Sequence, residues 1–314
     1  MSNEFAAFFL SRLHSEDVDE RRLALTELNE ILEYVPVEEL VRLLTDKDAA
    51  VRKLAVQALE ELGDPGAIPG ILEAVTDSNR EVGQTAKAAL REFRTEAAVA
   101  PLLEGVKNAN SEVRAAALIA LRDLRSTQAF TALINAARDQ SPAVRREAIL
   151  ALAYLQEPEA LPVLRNSVVD PDPEIRRIAI DAVSLLDDSA VSALIKATTD
   201  ADWQVRAQAV SRLSRFSDEQ VIDTLRQALE DDRWQVVKEA IQSLGKVKAP
   251  LGPYLIPFLF HELADVRIAA ASAIADIGDT SSLLELRKLL RDPDTGAQKA
   301  AARAIARLEF CRDA

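Results

Sequence analysis

The chain has 314 residues, with Lys+Arg 38 against Asp+Glu 51 and a net charge of −13. It is 48% hydrophobic but only 4% aromatic, so its apolar content is the Ala, Leu, Val and Ile of packed helices rather than the mix typical of β-sandwiches. That balance excludes a disordered chain, no run of about 18 apolar residues is present to span a membrane, and the acidity opposes a general nucleic-acid surface, where phosphate contacts dominate affinity.

The first segment, Met1 to Leu10, has no cationic stretch ahead of its short apolar run, which argues against a secretory leader. Phe5, Phe8, Phe9 and Leu10 form an apolar stripe expected to cap a core over about residues 1–12. One pattern then repeats. Asp-x-x-x-x-Val-Arg reads as Asp46 with Val51-Arg52, Asp77 with Val82, Asn108 with Val113-Arg114, Asp139 with Val144-Arg145 and Asp170 with Ile175-Arg176. It continues as Asp200 with Val205-Arg206, Asp231 with Val236, His261 with Val266-Arg267 and a degenerate Asp292 with Ala297; Glu20-Arg21 falls in the same frame. Successive Val-type positions lie 30 or 31 residues apart without insertion, ten units in all.

Four residues after each Val-type position stands an alanine, from Ala24 and Ala55 to Ala270 and Ala301, and four further on a branched aliphatic, from Leu28 to Ile305. Offsets of 0, 4, 8 and 11 share one helical stripe, with alanine where helices cross closely. A shorter apolar segment precedes each motif, as in Leu40-Leu43-Leu44, Ile68-Ile71-Leu72, Val99-Leu102-Leu103 and Val191-Leu194-Ile195. Each unit is thus a helical hairpin that buries its stripe only when a neighbour stacks on it. The stretch from Lys248 to Phe260 holds three prolines and three aromatics but keeps the unit length, so it reads as a modified first helix rather than a linker. With a degenerate final repeat over about 280–314, the expectation is one continuous array across residues 1–314.

The motif Asp-x-x-x-x-Val-Arg-x-x-Ala-x-x-Ala-Leu, with Leu62-Gly63-Asp64 and Ile277-Gly278-Asp279, resembles the HEAT repeat, in particular the short variant named after phycobilisome bilin lyases. The resemblance implies an all-α, right-handed α-solenoid of about ten HEAT-like helical hairpins of 30–31 residues, with first helices on the convex face and second helices on the concave one. It also implies an internal Asp–Arg ladder. An Asp in the turn before a helix is well placed to accept amide hydrogens and a neighbouring arginine. The ladder expected here comprises Asp46, Arg52, Asp139, Arg145, Asp170, Arg176, Asp200 and Arg206, with Arg114 and Arg267; it breaks at Gly83, Val237 and Gln298, where either looser junctions or, at Gly83, a close approach of another group to the backbone is expected.

Catalytic residue types are scarce. His14 and His261 stand about eight repeats apart, and Cys311 is the only cysteine, so no zinc set and no internal disulfide can be assembled. No glycine-rich phosphate loop or nucleophile elbow is present. The expectation is no catalytic residue, no intrinsic cofactor and no metal, in a cytoplasmic protein. Cys311 beside Arg312 is the one thiol that could act as a contributed ligand.

Binding features are richer. Two residues after the Val-type position the units carry Arg22, Lys53, Gln84, Ala115, Arg146, Arg177, Ala207, Lys238, Ile268 and Lys299, none acidic. Arg91 and Arg122 follow one turn on, with Ile119, Leu150 and Tyr154 interleaved. Either these cations suit an acidic, partly apolar partner, or Glu81, Glu112, Glu174 and Asp265 neutralise them. Trp203 and Trp234, each two residues before a Val-type position, should stack one repeat apart, as a packed turn or as a two-ring anchor. Arg91, Arg122, Arg146, Tyr154, Arg177, Trp203 and Trp234 form the expected partner-binding set. The acids Asp17, Asp19, Glu20, Glu27, Glu30, Glu33, Glu38 and Glu39 form a solvated cap or a dock for a basic partner. The leading expectation is a non-catalytic scaffold; the resemblance implies a phycobiliprotein or an iron–sulfur cluster carrier as partner. The alternative is a bilin lyase or lyase subunit, whose linear tetrapyrrole would be the ligand and whose attacking thiol belongs to the substrate. A DNA glycosylase fits poorly with a pI near 4.8.

Overall fold

Two residues beyond the motif Asp, in several units, a short polar side chain turns the chain into a helix. Asp48 accepts the Val51 amide at 2.9 Å, Asn110 the Glu112 amide at 2.8 Å and Asp202 the Gln204 amide at 2.8 Å, each satisfying a donor that the first turn leaves without a partner. In a computed structural model, residues 3–28, 32–186 and 190–313 are described. They form twenty α-helices and short 3₁₀ turns, with no strand among the described residues. The chain divides into two units, Met1–Val163 and Leu164–Ala314.

In the first unit α1 (Asn3–Leu13) and α2 (Val18–Thr26) lead into α3 (Val37–Leu43), α4 (Ala49–Leu62), α5 (Ile68–Ala74) and α6 (Arg80–Ala89). Then come α7 (Val99–Gly105), α8 (Ser111–Leu124), α9 (Phe130–Ala136) and α10 (Pro142–Leu155). From α3 to α10, first helices have 7 residues and second helices 10 to 14. At the Leu-Gly-Asp motif, Gly63 takes φ 68° to end α4, and Asp64 accepts the Gly66 amide at 2.8 Å to start the next turn.

The helix α11 (Leu161–Ser167) is followed in the second unit by α12 (Pro173–Leu186), α13 (Val191–Ala197), α14 (Trp203–Leu213), α15 (Glu219–Gln227) and α16 (Trp234–Lys246). The series ends with α17 (Gly252–Leu255), α18 (Ala264–Ile277), α19 (Leu283–Leu289) and α20 (Thr295–Asp313). The modified first helix is confirmed. α17 has only four residues and passes into a 3₁₀ stretch, Ile256–Phe260, because Pro253 and Pro257 carry no amide hydrogen to continue an α-helix.

The core is the alanine row. Ala24, Ala55, Ala86, Ala117, Ala148, Ala179, Ala209, Ala240, Ala270 and Ala301 all have 0% exposure. Each side chain fills the crossing point of packed helices, where a larger residue would cost about 1–3 kcal/mol. The N-terminal stripe differs from expectation. Phe9 is buried but Phe8 is exposed, and the Phe5 side chain lies outside the described residues. Two adjacent residues cannot share one helix face, so the rings meet edge to face at 6.4 Å with the Arg12 guanidinium over both.

The ladder forms within each unit. Arg21, Arg52 and Arg114 pair with Asp46, Asp77 and Asp139, and Arg176, Arg206 and Arg267 with Asp200, Asp231 and Asp292, at 2.6 to 2.7 Å. The same arginines reach back to carbonyls of their own turn, as Arg52 does to Asp46 at 2.8 Å. Arg145 makes that backward contact to Asp139 and Gln140, and Asp170 accepts the Asp172 amide. The breaks do not all loosen the stack. At Gly83, α6 beds against α5, where a Cβ would lie 2.8 Å from the Val75 carbonyl oxygen, and α6 approaches α8 far less closely than α8 approaches α10. At Val237 the opposite holds. Gly245 lets α16 press on α18, with a Cβ position 2.9 Å from Ala273, so α16 and α18 pack tightly without the arginine.

Candidate partner-binding face

Residues 2, 6 and 10 places after the Val-type position define the outer surface of every second helix. From α4 to α10 these are Lys53, Gln57 and Glu61 on α4, Gln84 and Ala88 on α6 with Glu92 just beyond it, Ala115, Ile119 and Asp123 on α8, and Arg146, Leu150 and Tyr154 on α10; none is fully buried. Where α6 and α8 part, a groove of about 470 Å³ opens, lined by Ala88, Ala115, Ala116, Ile119 and Ala143 with Lys87, Arg91, Ser111 and Glu112 along its rim. A larger hollow of about 570 Å³ lies between the first helices α7 and α9. It is the gap between two seven-residue helices, and its one cation, Lys107, pairs with Glu104 at 2.7 Å.

The structure places the expected binding residues individually. Arg91 is exposed and donates to Asp123 at 2.7 Å. Arg122 and Arg146 converge on Glu147, each at 2.9 Å, so both are anchored inward by a buried carboxylate. Tyr154 lies under the Arg125 guanidinium at 4.6 Å, and Arg125 also donates to its hydroxyl. In the second unit Arg177 is exposed and has no ion-pair partner among the described residues. Trp203 and Trp234 open α14 and α16. Their expected stack does not form among the described ring contacts. The Lys238 ammonium sits 5.9 Å over the Trp234 ring instead.

Neutralisation accounts for other cations. Lys53 pairs with Glu81 at 3.0 Å, Lys87 with Glu112 at 2.9 Å and Lys238 with Asp265 at 3.0 Å. Arg22 binds Asp48 and, with the Val51 amide, holds that carboxyl down to about 2. Arg52 draws Asp77 below the ordinary carboxylate range. Burial pushes Asp46 and Asp200 up, but Arg21 and Arg176, with the amides of Asp48 and Asp202, pull both below it.

Two features escaped the sequence reading. Glu147 stands where other units carry Leu54, Ala116 or Ile178 but also Thr85, Gln208 and Glu239, so the row itself did not single it out. The ladder also loses its partners in pairs. Gly83 replaces an arginine and the next acceptor is Asn108; Val237 replaces another and the next acceptor is His261. Asn108 and His261 keep the turn half of the task, accepting the amides of Asn110 at 2.8 Å and Leu263 at 3.1 Å.

His14 contacts Glu39 at 2.7 Å. Among the described residues no three His, Cys, Asp or Glu side chains group as metal ligands, and no helix is long and apolar enough to cross a membrane. Cys311 lies in α20, with its side chain outside those described.

The family model for HEAT repeats matches residues 6–91, 68–139, 130–197, 191–259 and 252–310. No curated protein matches the chain. Among solved structures, an engineered protein is 23% identical, covering 97% of this chain and 98% of its own, with a TM-score of 0.51. The Escherichia coli protein YibA is 19% identical over 90% of this chain and 96% of its own, with a TM-score of 0.53. Kap95p, whose binding induces the switch loops of RanGDP to adopt the GTP-bound conformation, is 16% identical over 98% of this chain but 51% of its own, with a TM-score of 0.63. At these identities the likeness is one of fold.

Proposed function

Because the chain belongs to the HEAT-repeat family, we propose that it is a non-catalytic scaffold whose second-helix face holds another protein. The carrying observation is the groove between α6 and α8, apolar along its floor, with Lys87 paired to Glu112 and Arg91 to Asp123 at its rim. Its small side chains leave room for an aliphatic or aromatic residue, and Arg91 can exchange Asp123 for a carboxylate on the partner. HEAT-type neighbours solved with other proteins, such as the Kap95 complex with Nup1, make protein binding a natural use of the fold without naming a partner for this chain.

The unbroken 30–31-residue spacing supports one continuous array across residues 1–314. The acidic, partly apolar partner suggested by the sequence is a phycobiliprotein or an iron–sulfur cluster carrier, in the cytoplasm, with no cofactor bound by the chain itself.

The deciding experiment is affinity capture from the native source by the wild type and two variants that retain helicity by circular dichroism. Arg91→Glu with Ile119→Asp should abolish capture, whereas Lys107→Glu beside α7 should not. Capture that survives the first variant removes the assigned face. Coexpression with bilin and phycobiliprotein subunits tests the lyase alternative, since a lyase must leave a covalently coloured product.

A further inference from the structure

We propose that the second-helix face of the last three hairpins, built by α16, α18 and α20, is a docking groove for an acidic polypeptide segment of a partner protein. This rests on the scaffold reading and narrows it to a place and a charge. α18 supplies the floor: Ile268, Ser272 and Ala275 are short, with Ala269 and Ala273 buried behind them. The close seat of Gly245 on Ala273 holds α18 against α16. Longer side chains rise on both sides. α16 presents Lys238, Gln242 and Lys246, and α20 presents Lys299, Arg303 and Arg307. Two hollows of about 400 and 330 Å³ share Ile268, Ser272 and Asp276 and so run together along the floor.

Charge selects the occupant. Five cations line these hollows against two acids, Asp265 and Asp276. Asp265 is taken by Lys238 and Asp276 by Arg307. Lys246, Lys299 and Arg303 are exposed, and among the described residues they make no hydrogen bond or ion pair. In a chain of net charge −13, this is a local inversion of sign that attracts anions and repels basic partners. Two helix layers set the α16 and α20 axes about 18 Å apart, and with each wall's own side chains taking roughly 5 Å of that, an extended segment fits between them. The methyl-lined floor suits a segment that interleaves carboxylates with small apolar residues better than it suits a phosphodiester chain, which has no apolar edge to bury there.

The probe is a fluorescein-labelled peptide of Glu-Glu-Leu-Ala repeats, titrated with the full chain by anisotropy at low and at high salt. Binding should weaken as salt rises. Lys246→Glu, Lys299→Glu or Arg303→Glu should each weaken it by roughly tenfold or less, the span of about 1.4 kcal/mol. Ser272→Glu places a carboxylate in mid-floor without touching the core and should weaken it comparably. Unchanged affinity in all four folded variants overturns the proposal. So does an oligo-dT strand that binds as tightly as the peptide with the same sensitivity to the variants. Arg91→Glu, assayed in parallel, separates this inference from the one it rests on. Capture of a partner that Arg91→Glu abolishes and the four groove variants leave intact removes this groove alone. Peptide binding that the four variants weaken and Arg91→Glu leaves unchanged supports it.

Discussion

Arg52 joins its own hairpin to the next through two parallel hydrogen bonds to Asp77, Nε to Oδ2 at 2.6 Å and Nη2 to Oδ1 at 2.7 Å. Its remaining terminal nitrogen donates backward to the Asp46 carbonyl. One planar group therefore fixes both a turn and the register of the following repeat.

Truncating that arginine strands Asp77, which is almost fully buried. Arg52→Ala should cost about 3 kcal/mol in urea unfolding. Arg52→Ala with Asp77→Asn should cost less than the sum of the singles, because the second change removes the stranded charge. Additive losses would deny the pairing.

The carboxylates in the turns before the second helices should also set the acid limit of the fold. Asp48, held down to about 2 from 3.8 by Arg22 and the Val51 amide, binds fewer protons folded than unfolded. Its contribution is therefore complete above about pH 4 and is lost as pH falls toward 2. Asp77 and Asp292, lowered chiefly by Arg52 and Arg267, act in the same direction. Helicity should hold down to about pH 4 and fall below it, and Asp48→Asn should flatten that dependence.

Glycine 83 offers a prediction against propensity. Alanine in a helix interior normally gains about 1 kcal/mol over glycine. Here the new Cβ would lie 2.8 Å from the Val75 carbonyl oxygen, so Gly83→Ala should lower the melting temperature. A rise would show that α5 and α6 part without cost.

Glu147 should matter to both stability and surface charge. Glu147→Ala frees Arg122 and Arg146 from their shared carboxylate and should destabilise the fold by about 3 kcal/mol. The first unit should at the same time retain anionic dyes more strongly on titration. A variant as stable as the wild type would place the two arginines in solvent-balanced positions.

Much of this was legible in the residues. The alanine row is buried at every position, because a period-four pattern on one helix leaves only one face that can pack. The arginine–aspartate ladder was legible because both partners recur at fixed offsets. Reading which arginines stay available was harder. Arg91, Arg122 and Arg146 meet Asp123 and Glu147, acids at positions that only some repeats share.

The chain itself determined repeat length, hairpin order and core row, since each follows from spacing along one strand of residues. Tertiary packing alone decided where neighbouring second helices part or press together. Gly83 and Gly245 look alike as letters. One seats α6 against the end of α5 and the other seats α16 against α18, because removing a Cβ only permits close approach, and the surrounding side chains choose the direction.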